Sequence, residues 1–475
     1  METEQGATTA GRLPGGVDAL VEAQILLAAG IDLQRAGRAR EAIEAYGRAI
    51  AVQPDLVEAY HNLGVALRAA GCTPASVACF RRALRLRPGH GPTLSNLGNA
   101  LRSLGETEDA VQLLRQAAAA DPQSPEIAYN CALALRDAGQ VADAVRHFDR
   151  SLELRPDRHS ARIERGLAHL LGGNFTAGFA DLALRHPAAI VPVRGKSWPR
   201  WDGRTLDGRH LLVRAGDDLA ETALFARFVP LAAQRGVPVI LEGPDDAVPL
   251  LETVEGVARV ARRGGRFANV AAEAPLADLP RILGVTLETI PSGAPYLRVP
   301  RQSRHEPPPA VAGRIRVGVQ WSTGPVEPDA RSPNCRLAHF LRLAERPDVD
   351  LVSLQAGAQA EIAEAGAAAL VREIEGIEDP SVLAAAVAST DLVVAVDGPA
   401  AHLAGALGHP VWLVLPYAAE WWWLLGRDDS PWYPSAWLFR QRRPGDWDPV
   451  LRRVRTALDA ALDAPPAAAG APADA

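Results

Sequence analysis

The chain has 475 residues, 48% of them hydrophobic, and a formal net charge of -6. That length implies about three domains, and a net-negative chain without a basic cluster excludes a protein that works by neutralising nucleic-acid phosphates. Lys196 is the one lysine, which argues against lysine imine chemistry. The four cysteines (Cys72, Cys79, Cys131 and Cys335) show no C-x-x-C spacing and read as buried, reduced thiols. The first sixteen residues lack a signal-peptide core, and no stretch approaches the ~20 apolar residues of a membrane span, so the expectation is a cytoplasmic protein.

Residues 23–185 carry an internal period. Pro54, Pro88, Pro122 and Pro156 recur every 34 residues, and so do Gly37, Gly71, Gly105, Gly139 and Gly173. Tyr60-x-x-Leu63-Gly64-x-x-Leu67 in one unit returns as Leu94-x-x-Leu97-Gly98-x-x-Leu101 in the next. Period and pattern resemble the tetratricopeptide repeat: four units of paired helices and a degenerate fifth, stacked as an α-solenoid. Small residues such as Ala42, Ala110 and Ala144 admit the partner helix, while Tyr46, Phe80 and Phe148 fill the space between. Asn62, Asn96 and Asn130 occupy one first-helix position in successive units. Amides both donate and accept, so this ladder is a candidate for gripping a peptide backbone; asparagine is also simply common at that position. The ladder resembles the one in O-GlcNAc transferases, and that resemblance implies a peptide-gripping role here.

A connector rich in Pro, Gly and Trp opens the region 191–300, which reads as a first α/β lobe: strand 210–214, helix 221–235, strand 237–242. Asp217, Asp218 and Glu221 follow its first strand, either as acids of a site or as solvated caps of a helix start. The Pro-rich run 300–313 reads as a hinge, and 314–463 as a second lobe. There, strand 315–321 ends at Trp321 and gives way to the small turn Ser322-Thr323-Gly324, which can approach a phosphate closely. Strand 349–354 leads to Gln355 and a helix bearing Glu361. Asp348 and Asp350 spell D-x-D but are expected to precede their strand, at the wrong end of a sheet for a ligand, and no metal is expected. Residues 391–416 read as strand, turn, helix, strand, with Asp397 and Gly398 at the turn and Pro399 at the first helical position. His402 on that helix is either packed in the core or directed at a ligand. Seven of the ten tryptophans lie between Trp412 and Trp447, and of these Trp421 and Trp423 are the candidate sugar contacts. The tail 464–475 is low-complexity and expected to be disordered.

The run Asp397 through His402-Leu-Ala-Gly-Ala-Leu-Gly-x-Pro-Val-Trp, continued by Leu415-Pro416-Tyr417 and Asp429-Ser430-Pro431-Trp432-Tyr433-Pro434, resembles the donor segment of glycosyltransferase family nine, the heptosyltransferase-like enzymes. The resemblance implies an α + α/β chain, with the solenoid followed by a GT-B fold of two Rossmann-like lobes and a terminal helix crossing back over the first. It implies metal-independent transfer from an ADP-, UDP-, GDP- or CMP-linked sugar, with no other cofactor. On that reading Trp321, Ser322, Thr323, Arg331, Gln355, Glu361, Asp397, Gly398, Pro399 and His402 face the donor. Arg331 and the amides after Asp397 meet the diphosphate, and Glu361 meets the ribose. The acceptor-side loop departs from the family, with Asp218 and Ala220 where it has glycines and Glu221 where it has aspartate. Glu221 is the candidate base, with Asp217 and Asp218 as substitutes. A protein held by the repeats, such as flagellin or another surface protein, is the expected acceptor. The alternative is a catalytically decayed scaffold that binds partners through its repeats.

Overall fold

The computed structural model describes residues 15–183, 198–301, 309, 311–324 and 332–463. Arg331 and the tail 464–475 therefore lie outside the described residues, as does most of the expected hinge. The chain is an N-terminal helical solenoid followed by a region of parallel sheets, an α + α/β architecture. It divides into two compact units, Met1–Ala138 with Arg146–Pro156 and Gly139–Val145 with Asp157–Ala475.

The first unit is built from helices α1 (Gly15–Arg35), α2 (Ala39–Val52), α3 (Val57–Ala69), α4 (Thr73–Leu86), α5 (Gly91–Ser103), α6 (Thr107–Ala120), α7 (Pro125–Asp137) and most of α8 (Val141–Leu154). Each pair turns at a glycine with φ between +74° and +81° in the first three repeats (Gly37, Gly71, Gly105), a left-handed conformation that a Cβ disfavours. A second glycine sits where the paired helices touch. A Cβ on Gly30, Gly64 or Gly98 would stand 2.5, 2.5 or 2.6 Å from Tyr46, Phe80 or Leu114. The large residue sixteen positions on therefore needs a hole in its partner helix, which is why small and large residues recur in phase. Asn62, Asn96 and Asn130 lie half-buried on α3, α5 and α7, and Asn130 Nδ2 donates to Ser95 Oγ at 3.0 Å. Contrary to the expectation of buried thiols throughout, Cys72 is exposed just before α4 and Cys79 is half-buried.

Besides the start of α8, the second unit contains the last repeat pair, α9 (His159–Leu171) and α10 (Phe175–Leu182). Its first lobe is a parallel sheet in the order β3-β2-β1-β4, formed by β1 (His210–Arg214), β2 (Val239–Gly243), β3 (Val257–Arg262) and β4 (Val270–Pro275). Four short helices serve it: α11 (Leu219–Ala226), α12 (Val229–Gln234), α13 (Val248–Leu251) and α14 (Leu279–Leu283). One helix is expected over 221–235, but Pro230 in the first turn of α12 ends that continuity, and Arg227 turns inward at the break.

The second lobe is a six-stranded parallel sheet in the order β10-β9-β8-β5-β6-β7: β5 (Ile315–Gln320), β6 (Val349–Ser353), β7 (Val371–Arg372), β8 (Leu392–Ala395), β9 (Val411–Leu415) and β10 (Ala436–Arg440). This is the doubly wound order, whose direction reverses between β5 and β8. Its helices are α15 (Leu337–Phe340), α16 (Gln359–Glu364), α17 (Pro380–Ala388), α18 (Pro399–Leu407) and α19 (Asp448–Asp463). Strands buried on both faces read as near-continuous apolar runs, as in Val317, Val319, Val393 and Val394.

Two expectations are corrected here. The terminal helix α19 does not cross the first lobe; Val450, Leu451, Val454 and Leu458 join the second lobe's core with Val319, Phe340 and Leu351. Ion pairs from Asp448 to Arg342 (2.9 Å) and from Asp459 and Asp463 to Arg346 (3.0 Å each) hold it there. Asp350 lies within β6 rather than before it, where its buried carboxylate pairs with Arg316 and Arg372.

Candidate functional site

The carboxyl ends of the strands from both lobes open onto one cavity of about 300 Å³. From the first lobe it is lined by Gly216, Asp217, Leu219 and Thr222 after β1, and by Pro244, Asp246 and Ala247 after β2. Facing them are Gln320 at the end of β5, Leu354 and Ala356 after β6, and Pro399 at the start of α18. Gln320 and Pro399 mark the point where the strand order reverses, the place where doubly wound sheets hold ligands.

Two turns approach each other at that point. A Cβ on Gly398 would lie 2.4 Å from Thr323 Cγ2 and 2.9 Å from Gln320 Oε1, so only glycine allows the contact. Buried Gln320 accepts the Ala400 N-H at 3.2 Å, and Pro399 has no N-H. The amides after Asp397 are thus partly committed within the protein, and this helix start offers an anion less than its sequence suggests. The neighbouring turn is braced by two side-chain amides: Ser322 N donates to Gln355 Oε1 and Thr323 N to Asn334 Oδ1, each at 2.9 Å. Trp321 is fully buried, and its Nε1 donates to Glu361 Oε2 at 2.7 Å, while Glu361 Oε1 accepts from Leu337 N at 3.1 Å. Both Glu361 oxygens therefore hold the lobe's own architecture.

Asp397 and His402 come together in a buried chain. His402 Nε2 lies 2.9 Å from Asp397 Oδ1, and His402 Nδ1 lies 2.8 Å from the Tyr433 hydroxyl. The carboxylate can only accept, so Nε2 carries the proton, and in the neutral ring Nδ1 accepts from Tyr433. Trp422 Nε1 donates to the second oxygen, Asp397 Oδ2, at 3.1 Å. His402 is 0% exposed and therefore buttresses the loop from within. Tyr433 reaches it because Gly405, one turn along α18, leaves room: a Cβ there would sit 2.3 Å from the Tyr433 ring. Burial pushes the Tyr433 phenol well above its usual range.

Arg227 completes this core. Its guanidinium donates to the carbonyls of Leu224, Pro291 and Trp432 and to Tyr296 Oη. It lies 4.6 Å from the centroids of the Tyr296 and Tyr433 rings. Carbonyl dipoles and aromatic faces thus solvate the cation, and they tie α11 to the segment after β9.

The loop acids divide between two cavities. Asp217 lines the inter-lobe cavity and pairs with Arg263. Asp218 caps α11, accepting from Ala220 N at 2.8 Å and Glu221 N at 3.2 Å. Asp218 and half-buried Glu221 line a second cavity of about 320 Å³, with Leu167 and Phe179 of the last repeat pair and with Glu420, Trp421 and Trp422. Trp423 is fully buried against His402, so its indole packs the core rather than meeting a sugar. Trp422, Arg227, Gln320 and Asn334 were not singled out from sequence, and Tyr433 entered only as part of the donor-segment resemblance. Nothing in the run Trp421-Trp422-Trp423 says which indole faces a cavity. Among the described residues, no group of three His, Cys, Asp or Glu side chains is placed to hold a metal, and no helix is long and apolar enough to cross a membrane.

Family models for tetratricopeptide repeats match residues 35–71, 55–123 and 129–190, so the N-terminal part of the chain is a tetratricopeptide-repeat region. Among characterised proteins, the chain is similar to Protein FlbA of Caulobacter vibrioides, 26% identical over 378 residues, covering 66% of this chain and 63% of that protein. The match thus spans less than two thirds of FlbA. Among solved structures, YrrB, a TPR protein with an unusual peptide-binding site, is 18% identical with a TM-score of 0.31, covering 34% of this chain and 86% of its own. MamA of Desulfovibrio magneticus RS-1 is 19% identical with a TM-score of 0.32, covering 34% and 92%.

Proposed function

We propose that the chain is a metal-independent glycosyltransferase of GT-B type, with the nucleotide-sugar in the second lobe and the acceptor delivered from the first. The observation that carries this reading is the shared cavity at the carboxyl ends of both parallel sheets, set at the reversal of strand order. Gln320 and Pro399 of its lining lead into the Ser322-Thr323-Gly324 turn and out of the Gly398 bend, which serve as the phosphate side on this reading, with Arg331 as the cation for the diphosphate. Glu221, which lines the second cavity, or Asp217, which lines the shared one, takes the proton from the acceptor hydroxyl. Asp397, whose two oxygens accept from His402 and Trp422, positions the loop rather than meeting a phosphate, since a carboxylate facing a diphosphate would repel it. The repeat region binds a protein segment, which makes a protein the acceptor, with Asn62, Asn96 and Asn130 as backbone contacts. The protein works in the cytoplasm.

Two observations favour a second reading, a scaffold without catalysis: Asp218 is engaged in capping α11 and the Ala400 amide in binding Gln320. Calorimetric titration with UDP-, GDP-, ADP- and CMP-sugars, followed by assay of their hydrolysis, separates the two. An enzyme binds one of them and releases its nucleotide, whereas a scaffold does neither.

A further inference from the structure

The first repeat leaves open a face that every later repeat buries. In steps of one repeat, Ile25 is followed by Ala59, Thr93, Ile127 and Ala161, and none of these four is more than 4% exposed. Ala59 packs with Tyr46 and Ala49 of α2, and Ile127 with Leu94 of α5 and Ala117 of α6, so the preceding pair covers them. Among the described residues no pair precedes α1, and Ile25 is 63% exposed. Val21, one turn earlier, is exposed as well. A solenoid ordinarily closes with a polar outer face, whereas this one is apolar at its centre. The helix is also longer than its counterparts: α1 has 21 residues where α3, α5, α7 and α9 have 13, and Gly15–Glu22 is the excess.

The exposed positions of α1 form a seam. Asp18, Val21, Ile25, Ala28, Asp32 and Arg35 are all exposed and stand alternately three and four residues apart, the spacing of a coiled-coil contact. Its ends are charged and its middle is apolar. The midpoint falls between Leu26 and Leu27, so two copies of α1 laid antiparallel set Asp18 opposite Arg35, Val21 opposite Asp32 and Ile25 opposite Ala28. The ends then attract, and branched Ile25 meets a small residue, the same fit that joins Gly30 to Tyr46 within the repeat. Laid parallel, the copies would set Asp18 against Asp18 and Arg35 against Arg35, which repel. The present partner of Arg35 is Asp32 at 3.6 Å, and both side chains are more than three-quarters exposed, so this pair leaves the guanidinium open to a second carboxylate. Residues 1–14 bring only Met1 and Leu13 as large apolar side chains, less than a second α1 supplies.

We propose that α1 is a self-association surface that packs antiparallel on α1 of a second copy of this chain, through Val21, Ile25 and Ala28 and two Asp18–Arg35 ion pairs. A helix of 21 residues is about 30 Å long, so the contact is small for a specific interface and a concentration-dependent equilibrium between monomer and dimer is expected. The pairing is independent of the glycosyl-transfer reading.

The experiment is sedimentation equilibrium of the full chain over a concentration series reaching about 1 mM, where even a weak specific contact is populated. The expected result is a mass that rises towards that of two chains. Ile25→Glu changes a side chain that is exposed in the single copy, so it should leave the helical circular dichroism intact and weaken dimerisation about tenfold or more, the range for one buried aliphatic side chain. Asp18→Arg and Arg35→Asp should each weaken it too. Combined in one chain they should restore it, because the exchanged charges again face each other across an antiparallel pair. A monomer throughout the series, a dimer indifferent to Ile25→Glu, or a doubly exchanged chain that keeps its helicity without recovering the dimer overturns the proposal. So does a monomer that dimerises only once residues 1–14 are deleted, which would assign the face to that segment.

Discussion

The guanidinium of Arg227 lies 4.6 Å from the centroid of the Tyr433 ring, whose hydroxyl is hydrogen-bonded to His402. Among the described residues no carboxylate pairs with this buried cation, so carbonyls and rings must do the whole work of replacing water. Arg227→Ala would leave the Pro291 and Trp432 carbonyls without their donor and open a cavity, and should destabilise the second unit by about 3 kcal/mol or more. Arg227→Lys, with one compact charge in place of a fork, should recover part of that. Urea unfolding followed by tryptophan fluorescence would check the ranking; equal stability of wild type and Arg227→Ala would show that the contact is energetically idle.

Gly405 and Tyr433 make a second test of the same core. Since a Cβ at 405 would enter the Tyr433 ring, Gly405→Ala should cost about 1–3 kcal/mol by overpacking. The melting temperature of the second unit should fall, although alanine favours helix.

In the repeats, Gly98→Ala places a methyl 2.6 Å from Leu114 Cγ and should destabilise by a similar ~1–3 kcal/mol. Combining it with Leu114→Ala removes the clash, so the double mutant should be more stable than the sum of the two single changes, by about 1 kcal/mol. Helical circular dichroism against urea measures all four corners of the cycle, and strict additivity would contradict the knob-and-hole account.

His61 supplies the pH dependence. Burial, and secondarily His90, pushes its pKa down to about 4, against an opposing pull from Glu58. His61 Nδ1 and His90 Nδ1 share the Thr93 hydroxyl at 2.8 and 2.6 Å, and one hydroxyl can satisfy one donor and one acceptor but not two imidazoliums. Between pH 6.5 and about 4 the unfolded chain therefore binds more protons at this residue than the folded one. The stability it confers is complete above about 6.5 and is lost as pH falls towards 4. Melting of wild type and His61→Gln at neutral and mildly acid pH should show the smaller acid loss in the variant.

Arg331→Ala should weaken nucleotide-sugar binding about 10- to 150-fold if the guanidinium contributes one charge-assisted contact of ~1.5–3 kcal/mol. Titration calorimetry reads this directly, and an unchanged affinity would remove Arg331 from the site.

Much of the architecture was legible in the sequence because its causes are local. A left-handed turn at Gly37, Gly71 and Gly105 leaves a glycine every 34 residues. A strand buried on both faces leaves a continuous apolar run such as Leu392–Ala395, and Pro399 and Gly408 mark the ends of the helix that follows. Other features depended on which surfaces meet. The stripe of α19 does not by itself name a lobe as a pattern; the positions of Arg342 and Arg346 and the neighbouring strands β9 and β10 assign it to the second. The three consecutive indoles are identical in sequence, yet Trp423 is sealed against His402, while Trp421 and Trp422 line one cavity and Trp422 has its N-H tied to Asp397. Periodicity records the face a residue shares with its neighbours along the chain. It carries no record of Asp397 meeting Trp422, because that contact exists only after two distant segments have packed and excluded water between them.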